Sequence, residues 1–210
     1  MAFRSDATFL VLHALRLKGF ADHPVVAALF GLDDTMVKSA LESMAGSGLV
    51  SFRQGRTSGW TLSAAGRARH GELVAAELDA CGCRGPIDDG YRRFLTVNAR
   101  LLEVCTKWQL RAVGGRQVPN DHSDAAYDAA VVSELGAVDD FIQPVCADLA
   151  VTMERLSSYG SRLAEARRRV DAGQGEWMTR PVIDSYHTIW FELHEDLLVT
   201  LGIERAREAM

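Results

Sequence analysis

What this sequence lacks narrows its class before anything it contains. No stretch reaches the roughly 18 uninterrupted apolar residues that a membrane span needs, so no membrane is expected among its partners. The opening residues Met1, Ala2, Phe3, Arg4, Ser5 and Asp6 do not form a basic region followed by an apolar core and cleavage site. That argues against a signal peptide and makes the cytoplasm the expected location. Cysteine is sparse: Cys81, Cys83, Cys105 and Cys146 form neither a disulfide framework nor a zinc-finger ladder. The close pair Cys81 and Cys83 is read as reduced thiols in a loop, with a redox or metal-thiol pair as the alternative. There is no phosphate loop, nucleophile elbow, zinc-protease motif or dinucleotide fingerprint, and no internal repeat or low-complexity run. An enzyme is therefore not expected, and neither is a cofactor or a bound metal.

Excess positive charge is missing too. The net charge is −5, which counts against a nucleic-acid partner until its distribution is considered. Residues 1–80 carry eight Lys/Arg and eight Asp/Glu, leaving 15 basic and 20 acidic groups beyond them. The acidic surplus lies wholly in the C-terminal part. Contact with phosphates depends on local charge, and the first 80 residues are neutral.

Those residues hold a regular succession of elements. Phe9, Leu10, Leu12, Leu15 and Leu17 make a helical stripe closing near Gly19. A short helix over 24–30 starts on Pro24, at a first-turn position where its missing N–H costs nothing. Gly31, Leu32 and Asp33 turn the chain, and Asp33 is placed to cap a helix over 34–45. Val37, Leu41 and Met44 mark the buried face of that helix; Thr35, Lys38, Ser39, Glu42 and Ser43 mark the other. A strand over 49–53, a turn-rich loop over 54–59 and a returning strand over 60–62 follow, before Ser63 caps a helix to about residue 80.

The run 32–50, with Leu32, Val37, Leu41, Met44 and then Gly48, Leu49 and Val50, resembles the recognition helix and exit strand of MarR-type winged-helix regulators. Leu62, Ser63, Ala64, Ala65, Gly66 and Arg67 resemble that family's segment after the wing. The resemblance implies a winged helix-turn-helix with a two-stranded wing, whose second motif helix enters the major groove of double-stranded DNA. It implies DNA contacts from Thr35, Lys38, Ser39, Ser43, Arg53, Arg56 and Thr57, with flanking help from Arg67 and Arg69. Asp33, Asp34 and Glu42 depart from the pattern, because they put carboxylates where phosphates would approach.

Residues 81–90 are rich in turn formers and read as a linker. Beyond them the pattern is helical, so the expected fold is mainly α: a DNA-binding domain over 1–80, then an all-helical dimerisation and effector domain over 91–210. Helices are expected over 91–112, over 124–158 with a bend or break near Gly136 or Pro144, over 162–172 and over 181–202, with a loop over 113–123. The layout is loosely similar to the helical effector domains of GntR-type regulators, some of which hold a metal with Asp and His. His122, Asp124, Asp184, His187, Trp190 and His194 are candidate effector contacts, provided that His122 folds near the last helix. Capping by 120–124 and two histidines edging a core seam is the plainer reading. The expected function is a homodimeric transcription regulator sensing a small-molecule effector. The alternatives are a protein-interaction adaptor with a repurposed winged helix, or a ligand- or metal-binding C-terminal domain with enzyme-like chemistry.

Overall fold

The computed structural model describes residues 1–204 and is mainly helical, with two small antiparallel hairpins. In chain order the elements are α1 (Ala7–Lys18), α2 (His23–Phe30), α3 (Asp34–Gly46), β1 (Val50–Arg53), β2 (Gly59–Leu62), α4 (Ala64–Cys81) and α5 (Arg84–Gln109). There follow β3 (Leu110–Val113), β4 (Arg116–Pro119), α6 (Ala125–Thr152), a short 3-10 turn (Glu154–Leu156), α7 (Ser158–Asp171), α8 (Glu176–Thr179) and α9 (Tyr186–Leu201). None of the described helices is long and apolar enough to cross a membrane. The chain divides into two compact units. Unit one gathers Met1–Gly85, Met153–Arg155 and the described residues from Glu195 to Glu204; unit two holds Pro86–Thr152 and Leu156–His194.

In unit one, four helices start on a side-chain cap. Asp6 accepts from the Phe9 N–H at 3.0 Å, Asp22 from Val25 at 3.3 Å, Asp33 from Met36 at 2.8 Å and Ser63 from Gly66 at 3.0 Å. Each cap satisfies one of the donors that a helix start leaves without a partner, and is worth about 1 kcal/mol. Val11, Leu12, Leu15, Val26, Val37, Leu41, Met44, Val50 and Leu62 form the core beneath them. At roughly 1.5–3 kcal/mol per large side chain, this burial outweighs the caps in holding the unit together. β1 pairs with β2 from Val50↔Leu62 to Arg53↔Gly59. Ala21 adds a bridge on the far side of β2, exchanging hydrogen bonds with Trp60 at 3.1 and 2.7 Å.

In unit two, α5, α6, α7 and α9 bury Phe94, Leu101, Val138, Ile142, Tyr159, Leu163, Tyr186, Ile189, Trp190 and Leu193. Phe94 and Trp190 pack with ring centroids 4.7 Å apart.

Four expectations are corrected. The boundary between the two units falls within residues 81–90, but the segment is not turn-rich: Gly82 ends α4 in the left-handed region at φ 62°, and α5 starts at Arg84. Pro86 sits in its first turn, where an N–H is not needed, and Ile87, Gly90, Tyr91 and Phe94 are its buried stripe. The C-terminal part is not all-helical, since β3 and β4 form a hairpin within the expected loop over 113–123. Gly114 and Gly115, both at positive φ (57° and 78°), supply the two-residue turn that pairs strands with their natural twist. α6 is unbroken by Gly136 or Pro144 and stops at Thr152, because Met153 and Glu154 leave it to pair with Phe3. Finally, Cys81 and Cys83 are joined by a disulfide across the turn between α4 and α5.

Candidate functional sites

Two surfaces and one buried cluster gather the chemistry of the chain. The first surface is the outer face of α3 with the β1–β2 hairpin. Val37, Leu41 and Met44 anchor α3 in the core, which turns Thr35, Lys38, Ser39, Glu42 and Ser43 to solvent. Arg53, Arg56 and Thr57 are exposed on the hairpin and its connection. The side chains of Lys38, Arg53 and Arg56 make no ion pair or hydrogen bond with any described residue. Two acids suspected of spoiling this surface are engaged. Asp33 is the cap of α3, and Asp34 lies 2.8 Å from Nδ1 of His23. Arg67 donates to the Leu62 carbonyl at 2.9 Å, and Arg69 pairs with Glu72.

The buried cluster lies inside unit one. His13 of α1 is fully enclosed, with Nδ1 2.9 Å from His70 Nε2 and Nε2 3.0 Å from an Asp196 carboxylate oxygen. Arg155 donates to Asp196, to Glu77 at 3.1 Å and to the Thr200 hydroxyl at 2.7 Å. Burial pushes both histidines below their usual pKa, His70 to about 3. His13 Nε2 also lies 3.0 Å from Nη1 of Arg155, so Asp196 and Arg155 meet at that ring nitrogen while His70 meets the other. All five ionisable groups are shut away from solvent, so the cluster acts as a structural tie. Sequence reasoning passed over it, although His13 inside the stripe of Phe9, Leu10, Leu12 and Leu15 was a usable signal. A polar side chain on an apolar helix face needs a buried partner.

No match to this chain is found among models of protein families, among characterised proteins or among solved structures.

The second surface is a cleft of about 450 Å³ in unit two, lined by Trp108, His122, Asp128, Gly175, Glu176 and Arg180 among others. The sequence implicates the 120–124 segment, and the structure explains its order. Asn120 is buried; its Nδ2 donates to the Trp108 carbonyl at 3.2 Å and to Asp128 Oδ1 at 2.8 Å, while its Oδ1 accepts from the His122 N–H at 3.2 Å. Both amide hydrogens of Asn120 are thereby used. His122 Nδ1, 3.0 Å from Asp128 Oδ2, is consequently the donor in that pair.

The other effector candidates do not join His122. Asp124 caps α6 by accepting from the Tyr127 N–H at 3.0 Å. Asp184 pairs with Arg162 at 3.0 Å. His187 is half-buried against Phe191, with its pKa lowered by burial. Trp190 is a core residue whose indole N–H donates to Asn98 at 2.9 Å. His194 is buried beside Tyr91 and Phe94. Seven-residue spacing put His187 and His194 on one helix face, but the core claimed that face. Among the described residues, no group of three or more His, Cys, Asp and Glu is arranged to hold a metal ion.

Proposed function

We propose that this chain is a transcription regulator that binds double-stranded DNA through unit one, acting as a winged helix-turn-helix. The observation that carries this reading is the pairing pattern on one surface. Lys38, Arg53 and Arg56 are exposed cations without partners among the described residues, while Asp33 and Asp34 are held at the start of α3 by Met36 and His23. A helix of this diameter fits the major groove, where base edges are distinguishable. Lys38 reaches phosphate or a guanine edge from its face, Thr35, Ser39 and Ser43 offer short donors, and the hairpin sets Arg53, Arg56 and Thr57 against the neighbouring backbone. The element order α1, α2, α3, β1, β2, with the Ala21 bridge on β2, supports the same reading.

The regulator works as a homodimer in this proposal, since two-fold symmetry matches two half-sites about one helical turn apart. Unit two then serves as its effector domain, shifting the DNA-competent population when occupied.

A mobility-shift titration with the promoter region beside the gene, at two salt concentrations, tests the reading. The expected result is a sequence-specific complex that weakens with salt and is lost in the Lys38→Ala, Arg56→Ala double variant. Absence of a complex with any promoter DNA, with or without cell extract, removes the proposal.

A further inference from the structure

We propose that Cys81 and Cys83 form a redox-active pair, opened by low-molecular-weight thiols of the glutathione type and closed by the corresponding disulfides. Their bond spans a single residue, Gly82, with Cα atoms 5.1 Å apart. A disulfide stabilises a fold chiefly by restricting the unfolded chain, and the restriction grows with the length of the loop it closes. A loop over one residue restricts almost nothing, so the bond adds little as a structural staple. The turn beneath it is held by other contacts. Gly82 ends α4 at φ 62°, and its N–H donates to the Leu78 and Asp79 carbonyls, each at 3.2 Å. Arg84 donates to the Leu201 carbonyl at 3.3 Å, and fully buried Ile87 anchors the start of α5. These contacts do not depend on the sulfur bond. When it opens, the two thiols stay neighbours and the bond can close again.

The two cysteines are not equivalent. Cys81 is partly exposed at the end of α4, whereas Cys83 is buried and directly precedes α5. An incoming thiolate therefore reaches Cys81. It bonds to Cys81 Sγ and breaks the Sγ–Sγ bond, and Cys83 departs as the thiolate, which the positive end of α5 favours. A second small thiolate attacks the mixed disulfide at its small-molecule sulfur, releasing a small disulfide and the Cys81 thiolate. Each cysteine takes up the proton that an attacking thiol gave up. The protein disulfide is thus reduced to two thiols while two small thiols are oxidised to one disulfide. The reverse sequence uses the small disulfide as oxidant. The other two cysteines stay out of this chemistry: Cys105 and Cys146 are buried free thiols, and burial pushes both up to about 12, where almost no thiolate forms at neutral pH. Opening the bond frees the backbone over 81–83, just ahead of the boundary between the two units at Gly85 and Pro86.

The link from this pair to gene control rests on the DNA-binding reading, but thiol exchange is measured without DNA, so the two fail separately. The experiment equilibrates the full chain in buffers of varied reduced to oxidised glutathione and stops exchange with acid. Alkylation and peptide mass then give the state of each cysteine. The expected result is that Cys81 and Cys83 pass together from bonded to free across the series, with both states populated at millimolar glutathione, while Cys105 and Cys146 take up none. Reduction should shift the melting temperature by only a few degrees and speed amide exchange over residues 82–85 by at least about tenfold. In Cys83→Ser, Cys81 should form its mixed disulfide with oxidised glutathione at least about ten times faster than Cys83 does in Cys81→Ser. A pair that stays bonded in excess reduced glutathione, or never closes in oxidised glutathione, overturns the proposal. So does loss of the cooperative melt on reduction, which would mark the bond as a structural staple. Equal rates in the two serine variants remove Cys81 as the point of attack.

Discussion

Nε2 of His13 lies 3.0 Å from the carboxylate of Asp196, a contact across 183 residues of sequence between two side chains with no solvent exposure. The partner on the other ring nitrogen is His70, and burial holds both imidazoles below their ordinary value of 6.5. The folded chain therefore stays neutral at these positions at pH values where the unfolded chain binds protons. Lowered histidine values mean that this contribution is complete above the unfolded pKa. It is lost as pH falls from 6.5 toward the folded value, about 3 for His70. Urea melts from neutral to mildly acid pH should show stability dropping by up to about 1.4 kcal/mol per pH unit for each histidine. His70→Gln should be less stable at neutral pH and show a shallower acid slope. An unchanged slope would remove the neutral-imidazole account.

Arg155 is the cation that makes the same cluster tolerable, since it faces both Glu77 and Asp196. Arg155→Met leaves two buried carboxylates without their counter-charge. Removing one partner from a buried pair costs about 3–5 kcal/mol, more than the pair itself contributes. Denaturation at neutral pH should show a loss of that size. Arg93→Met should cost under about 1 kcal/mol, because its contact with Asp148 is solvent-screened.

Gly66 carries a third prediction. A Cβ there would sit 1.9 Å from the Leu49 carbonyl oxygen, which is backbone and has no rotamer by which to move away. That carbonyl also accepts from the Ser63 N–H at 2.9 Å, so the start of α4 is docked directly on the chain entering β1. Gly66→Ala should therefore destabilise by about 1–3 kcal/mol or more, against the gain expected for alanine in an open helix position. Gly71, on the same helix with open space around it, is the control, and Gly71→Ala should stabilise slightly.

These cases separate what sequence reveals from what it hides. The caps Asp33 and Ser63, the core triplet Val37, Leu41 and Met44, and the β1–β2 hairpin were legible because each depends on neighbours within a few residues. The second hairpin was equally local, and Gly114-Gly115 was its signal, but four-residue strands show too little alternation to register. Residues 84–90 misled because glycine, proline and aspartate usually punctuate loops, while here Pro86 opens a helix whose buried stripe begins at Ile87. The His13, His70, Arg155 and Asp196 cluster depends on pairings across the whole chain, which no local pattern encodes. The candidate effector residues split for a related reason. His122 and Asp128 lie six residues apart and find each other locally. Trp190 and His194 were spaced like a site but were claimed by the core.

The last prediction concerns the exposed cations. If Lys38, Arg53 and Arg56 neutralise phosphates, each releases condensed counterions on binding, and the logarithm of affinity falls with the logarithm of salt by about 0.9 per contact. Substituting one of them by alanine should lower that slope by about one contact while leaving the melting temperature unchanged, since none is paired within the described fold. Arg69→Ala is the informative comparison. Arg69 is basic and exposed but already paired with Glu72, so its loss should shift the slope less. Asp34→Asn should act in the opposite sense, removing a negative charge at the start of α3 and strengthening non-specific binding at low salt. A slope that responds to Arg69 but not to Lys38 would move the nucleic-acid surface away from α3 and toward α4.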